Sequence, residues 1–564
     1  MWFRIDMEDS LKHINPYSMN DVESLRSVLT LVLQALECMS KELSDLKEEN
    51  GKLKDEINRL KGEKGRPEFK GRPKVADGKV EESGGAEGDK RGNHKTGTNK
   101  GRLEIDQTIE LKEVSGELPL DAHIRFWEER VVQDVILKRN TVKYRIAVWY
   151  SPSEGKTYRS VFPVDGFGSF GPQIRGLLHL LHYECNVTQG CLESFCDSMS
   201  LDISSGSIDN ILKSRGEEAV LERKEILAAG IGHSDYVQVD STGSKEKGVS
   251  LYTQIFCSPL FTAYFSNRTK SRLQVLQSLC GLTDLSDLPV IFNDDTVLLL
   301  ERFKVPQQCQ NTLQGFLALG ECSSIGDLKV WIDRELPKLA GQKNTLAHVL
   351  DAFALAHYFQ RQDFPTLCAL MSDDAPEYKL LCPLHALCWV HDGRDYKKLL
   401  PQLDINRRQT SVFMDEYWTF YRRLLEYKDW DGATQNLQKP VLDAEFERIF
   451  TQKTGYEALD KLIARTCSKK AGLLPVLERP DLPLHNNAAE LAARRKVRKR
   501  DVSLHTMSAE GTRVQDAYLS IIETAKKLRV SAFEYLTDFV SGTRKMMPLT
   551  ELIACKPSGN AIEF

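Results

Sequence analysis

A chain of 564 residues exceeds what a single hydrophobic core organises, so three or more structural units are expected. Hydrophobic content of 41% and charged content of 28% are ordinary for globular protein, and a net charge of −4 leaves any nucleic-acid affinity to local basic patches. The 13 cysteines include no CxxC pair, no run approaches the length of a membrane span, and the opening MWFRIDMEDS has no apolar secretion core, so a reduced, soluble, cytoplasmic protein is expected.

Over 21–61 a heptad seam runs without a break. Leu25, Val32, Met39, Leu46, Leu53 and Leu60 occupy d, and Leu29, Leu36, Leu43, Asn50 and Ile57 occupy a. Asn50 costs stability at an a position but pairs best with its own copy, which favours a parallel homodimer through a 25–60 leucine zipper. The alternative is one amphipathic helix packed on its own chain. Residues 62–103 hold Gly, Lys, Glu and Arg with almost no large apolar side chain, the composition of a flexible basic linker. Within it Arg66 and Arg72, each between Gly and Pro, resemble minor-groove hooks, although such tripeptides are also common in bare tethers.

Over 104–170 the pattern turns to strand, with alternation in IELKEV, RVVQDVIL and KYRIAVWY and a turn at 151–155, so a small β unit is expected. Short helices follow in 171–230. Thr188 caps one and Ser204 or Ser205 caps the next, and the tight LDIS turn between them gives a helix-turn-helix-like segment. Its second helix has few basic residues besides Lys213 and Arg215, so helical packing without a DNA role is an equal reading.

From 231 to 508 the chain reads as a larger α/β domain. YVQVDSTGS brings Asp240 to a strand terminus, and VSLYTQIF and FTAYFS supply two more strands. A helical insertion near 283–365 precedes LCALMSDDAPEY, a strand running into Asp373 and Asp374. The short apolar run HALCWV leads to His391, and a second helical insertion spans about 396–480. The stretch LPLHNNAAELAARRKVRKR then opens a helix at Asn486 and Asn487, with Glu490 in its first turn and Arg494, Arg495, Arg498 and Lys499 beyond. Taken alone, it could be an exposed helix in which Glu490 pairs with Arg494. Helices over 509–545 close the pattern.

Three strands, a helix, a fourth strand ending in acid, a short fifth strand and a late helix bearing Glu form the order of a ribonuclease H-like sheet. Carboxylates gathered at one sheet edge repel one another unless a cation lies between them, and hard oxygen ligands suit Mg²⁺ or Mn²⁺. Two such ions about 4 Å apart can activate an attacking oxygen and stabilise the leaving one in phosphodiester displacement.

These residues resemble the DDE transposases of the insertion sequence 66 type. The likeness rests on the zipper, FGPQIRGLLHLLHYECNVTQ, VDSTG, SDDAPEY, the CWVH run, LPLHNNAAE and the YLSIIETAKK tail. It implies Asp240, Asp373 and Glu490 as a catalytic, metal-binding triad for two ions per site. It further implies strand cleavage and 3′-OH transfer at terminal inverted repeats, with target DNA as partner; whether accessory proteins of the element join as partners is left open by the sequence. Asp373 is preferred to Asp374 as the second acid; Asp374, His391, Asn486 and Asn487 are expected beside the site. Arg494, Arg495, Arg498, Lys499, Arg66, Arg72 and Lys213 are the expected DNA contacts.

The chain departs from the family pattern at Ser241, Ser244, His485 and Leu491, and the turn SPSEGK lacks the family's zinc-binding cysteines, so no zinc is expected there. Cys382, His385, Cys388 and His391 are spaced by three, which on a strand alternates faces and prevents convergence on one ion. Asp294 and Asp295 in IFNDD are the rival second acid. The alternative to an enzyme is a zipper-dimerised DNA binder with an inert ribonuclease H-like domain.

Overall fold

The computed structural model describes residues 105–111, 124, 127–135, 137–161, 168–314, 324–401 and 403–555, with scattered positions between 22 and 49. The linker with Arg66 and Arg72 lies outside the described residues, as does most of the heptad seam. Where the seam is described it is helical, and Leu29, Val32, Met39 and Leu46 are exposed. The chain divides into two compact units, Ser44–Lys138 and the remainder. Within the first, described residues 127–135 are exposed and carry no assigned strand, so the alternation of RVVQDVIL is not realised as sheet.

In the larger unit the part that starts at Arg139 opens with an antiparallel hairpin, β1 (Val148–Ser151) and β2 (Lys156–Arg159), which turns at 152–155 with Gly155 at φ +64°. Helices α1 (Pro172–His179), α2 (Gln189–Ser198), α3 (Ser205–Lys213) and α4 (Gly216–Gly232) follow. Thr188 accepts from the Cys191 N–H and Ser204 from the Ser207 N–H, so both helices start where their hydroxyl caps stand.

A mixed five-stranded sheet forms the centre, in the order β5-β4-β3-β6-β7. Strands β3 (Val237–Glu246), β4 (Val249–Cys257) and β5 (Thr262–Asn267) form an antiparallel meander, and β6 (Ala369–Ser372) and β7 (Leu384–Leu387) add in parallel on the other side of β3. Val237, Gln238 and Val239 are all buried, as expected of a strand covered on both faces. Between β5 and β6 lie α5 (Arg272–Leu279), α6 (Asp294–Arg302), α7 (Gln307–Gln314), α8 (Ile325–Glu335) and α9 (Lys343–Gln360). They share the main core with α4 and with Val237, Val239, Phe256 and Phe265 of the sheet.

After β7 come α10 (Trp389–Tyr396), α11 (Asp404–Asp429), α12 (Gly432–Phe450) and α13 (Glu457–Ser468), which enclose a second core of mixed aromatic and aliphatic side chains. Trp389 joins that core to the sheet: it is fully buried, its Nε1 donates to the Leu473 carbonyl at 2.8 Å, and its backbone N–H donates to Leu484 O at 3.0 Å. The expected fifth strand is thus shorter than HALCWV suggests, because Trp389 already begins a helix.

Finally α14 (Asn487–Ser503) and α15 (Ala509–Lys527) pack on the sheet, with α16 (Ala532–Ser541) and α17 (Leu549–Ala554) beyond. Helix α15 seals the edge strand β5. Thr524 Oγ1 accepts from Thr262 N, Ser520 Oγ from Tyr264 N and Asp516 Oδ2 from Ser266 N, at 2.8–3.1 Å. Every second strand residue meets every fourth helix residue because two strand steps and four helix steps both advance about 6–7 Å. The architecture is a mixed-sheet α/β domain with helical insertions. No helix among the described residues is long and apolar enough to cross a membrane.

Candidate active site

The parallel register pairs Val237 with Leu370 and Gln238 with Met371. Asp373 directly follows the last residue of β6, whereas Asp240 lies inside β3; the expectation that Asp240 ends its strand is corrected, because pairing with β4 carries β3 on to Glu246. Asp240 accepts from the Ser241 N–H at 2.7 Å, and Asp373 accepts from the Ala375 N–H at 3.2 Å in a turn of Asx type. Neither has an ion-pair partner among the described residues. Burial raises the Asp240 pKa above the usual carboxylate value. The Ser241 N–H and His391 oppose the rise, and the negative charges of Asp373 and Glu490 add to it. Asp240 therefore lies within the field of both other acids.

Helix α14 brings Glu490 to this place through an unexpected contact. Asn486 stands at the cap position, yet its side chain makes no capping bond. It is buried at 1% exposure, and its Nδ2 donates to the Val239 carbonyl at 2.7 Å. The expectation of an Asn cap is corrected accordingly: the amide fastens the helix start to β3 at the residue before Asp240, and Glu490 follows one turn on. Asn487 is exposed and is the first residue of the helix.

Glu490 pairs across the fold rather than along its helix. Arg394 Nη2 donates to both its carboxylate oxygens at 3.2 Å, and Arg394 Nη1 lies 3.0 Å from His391 Nε2. His391 itself lies 3.6 Å from Glu490. The local Glu490–Arg494 pair expected of a plain surface helix is not made. Arg394 was not singled out from the sequence, although its place three residues after His391 puts both on one face of a helix.

Asp374 differs from its neighbour. It pairs with Lys379 at 2.9 Å and Lys469 at 3.3 Å. Burial raises its pKa, but those two lysines outweigh burial and lower it overall. Lys469 also meets buried Asp392 at 3.1 Å. A cleft of about 290 Å³ opens beside these groups, lined among others by Asp373, Asp374, His391, Arg394 and Lys469.

The basic stretch of α14 divides. Arg494 and Arg498 are exposed. Arg495 is held by Glu184 and Glu523, and Lys499 is 1% exposed with its Nζ on the His182 carbonyl at 2.5 Å. Burial brings the Lys499 pKa down to about 7. The expectation of four open phosphate contacts therefore narrows to two, because Arg495 and Lys499 are committed to packing. Lys213 is paired with Asp209 at 2.6 Å.

Asp294 and Asp295 occupy the first turn of α6 behind an Asn293 capping box, which accounts for their acidity as helix-terminal charge. His385 lies 2.7 Å from Ser372 Oγ, and the Cys382 thiol donates to Leu384 O. Among the described residues no three His, Cys, Asp or Glu side chains lie close enough together to hold an ion as arranged. The donor set of Asp240, Asp373 and Glu490 nevertheless suits a hard divalent cation: all are carboxylates, and the first two lack counter-ions.

A family model described as "Transposase IS66 family" matches residues 356–514, the span from the end of α9 through β6, β7 and α14. A protein of Sinorhizobium fredii (strain NBRC 101917 / NGR234), named "Uncharacterized protein y4jO", is 32% identical over 335 residues, which is 59% of this chain and 100% of that protein. The chain belongs to the IS66 family of transposases.

Proposed function

We propose that this protein is a divalent-metal-dependent DNA transposase in which Asp240, Asp373 and Glu490 are the catalytic carboxylates of a ribonuclease H-like domain. The observation that carries the reading is the junction at β3. There Asp240 lies in β3, Asp373 follows the end of its parallel neighbour β6, and Asn486 ties the start of the Glu490 helix to the carbonyl preceding Asp240. The sheet order, an antiparallel meander extended in parallel by β6 and β7, is the one expected of that fold.

A divalent cation held by the three carboxylates, Mg²⁺ or Mn²⁺ and two per site in this reading, would supply Lewis acidity to the attacking and leaving oxygens of a phosphodiester. The chain's own residues do the rest. The burial that raises the Asp240 pKa makes its free carboxylate avid for positive charge. Ala375 N–H orients Asp373, and the lysines on Asp374 keep that neighbour out of competition. Exposed Arg494 and Arg498 lie on the Glu490 helix and grip phosphates, with the basic linker and the 171–230 helices adding DNA contacts. The exposed heptad residues Leu29, Val32, Met39 and Leu46 pair two copies, so that both ends of an element are held together.

The test is Mg²⁺- or Mn²⁺-dependent cutting of a terminal-repeat duplex, with loss of cutting in Asp240→Asn. Wild-type protein that binds the duplex and never cuts it would instead support the second reading, a dimeric DNA binder with an inert domain.

A further inference from the structure

Of the three acids, only Glu490 carries a cationic partner. Arg394 holds both of its oxygens at 3.2 Å, whereas Asp240 and Asp373 have no ion pair among the described residues. The other cations of the cleft are engaged elsewhere: Lys398 and Arg465 on Asp395, Lys469 on Asp374 and Asp392. Arg394 is thus the cleft cation whose carboxylate partner is itself a proposed metal ligand. Its side chain is 46% exposed on the rim of the cleft, and Glu490 is 15% exposed.

We infer that Arg394 is a placeholder for the divalent cation, neutralising Glu490 until metal loads and then turning its guanidinium to a DNA phosphate at the cleft. The inference rests on the proposed roles of Asp240, Asp373 and Glu490. A guanidinium bound to both oxygens of Glu490 and a divalent ion seeking the same lone pairs exclude each other by charge and by space. With its guanidinium end 46% exposed, the pair is screened by solvent and is weak enough for a divalent cation to displace. The released guanidinium stays at the rim of the cleft, and its planar fork of donors matches phosphate oxygens. It also leaves His391 Nε2, to which it now donates, free as an acceptor beside Glu490.

The experiment titrates Mn²⁺ into the full-length protein without DNA, reading free Mn²⁺ by electron paramagnetic resonance. Arg394→Ala is expected to bind Mn²⁺ more tightly, on the order of 3- to 30-fold, because the competitor is gone. Arg394→Gln guards against a folding defect and is expected to show the same gain. Lys398→Ala removes a nearby cation that does not touch Glu490 and is expected to change affinity less than about 2-fold. With DNA and Ca²⁺, Arg394→Ala is expected to lower the slope of log affinity against log salt by about one phosphate contact. Unchanged or weaker Mn²⁺ binding by both Arg394 variants overturns the placeholder, and so does an equal gain in Lys398→Ala. If Asp240→Asn and Glu490→Gln bind Mn²⁺ as well as wild type, the carboxylate reading itself fails. If they lose Mn²⁺ while the Arg394 variants gain nothing, only the placeholder fails.

Discussion

Replacing Asn486 by alanine tests whether the β3–α14 junction is what assembles the site. The amide donates to Val239 O at 2.7 Å from a fully buried position, so its loss removes a short hydrogen bond worth about 1–1.5 kcal/mol net. A partial offset exists, because Asn486 Oδ1 is buried without a partner and its removal ends a desolvation cost of similar order. The cavity left by the amide adds to the loss, giving an expected destabilisation of about 1–2 kcal/mol. Asn486→Asp keeps the shape but replaces the donor with a carboxylate facing a carbonyl near Asp240. Its cost is expected to be about 3 kcal/mol or more. Urea denaturation followed by tryptophan fluorescence measures both. Activity should fall by more than stability explains, since Glu490 shifts relative to Asp240 and small displacements in a catalytic set cost on the order of 10²-fold. The reasoning is refuted if Asn486→Ala lies within about 0.5 kcal/mol of wild type and Asn486→Asp is no worse than Asn486→Ala.

Other perturbations separate catalytic from structural charge. The native pKa of Asp240 is raised, so the metal-free fold has this contribution in full below the unfolded value of about 3.9 and loses it as pH rises through the native value. Asp240→Asn is therefore expected to raise the metal-free melting temperature at pH 7–8 but not at pH 4, while abolishing the melting shift given by Mn²⁺; in wild type that shift should grow with pH. Lys496 and Asp516 form a buried pair at 2.5 Å, with side chains 3% and 1% exposed. Lys496→Met alone should cost about 3–5 kcal/mol in denaturation experiments, and adding Asp516→Asn should recover part of that loss. A Cβ on Gly393 would meet Trp418 Cζ2 at 2.9 Å and Tyr417 Cε1 at 3.2 Å. Gly393→Ala should therefore push α10 off α11 at a cost of about 1–3 kcal/mol, with a fall in activity because His391 and Arg394 ride on the displaced helix.

The acid that follows β6, the hydroxyl caps and the order of elements could be read directly from the chain, because each leaves a local pattern, whereas the continuation of β3 past Asp240 to Glu246 depends on its pairing with β4. Val237 and Val239 leading into Asp240, Thr188 and Ser204 at their helix starts, and the short apolar run before Asp373 are all local patterns of this kind. What escaped reading depends on partners distant in sequence. Asn486 looks like a cap, since nothing nearby in the chain shows that Val239 competes for its amide. Arg394 is 96 residues from Glu490, and the basic run 494–500 looks uniformly open until Glu184, Glu523 and the His182 carbonyl take Arg495 and Lys499. The RVVQDVIL alternation misled for a related reason: period two marks a strand only where another strand is present to pair with it.

The ladder from α15 onto β5 has a consequence for how copies of this chain can meet. An outer strand with free N–H groups at Thr262, Tyr264 and Ser266 would be a template on which a neighbouring chain could continue the sheet. Hydroxyls and a carboxylate from every fourth helix position already occupy those donors, so a neighbouring copy cannot continue the sheet along this side. Substituting Ser520 and Thr524 by alanine would reopen the template. The result should appear as concentration-dependent aggregation well before the fold itself is lost.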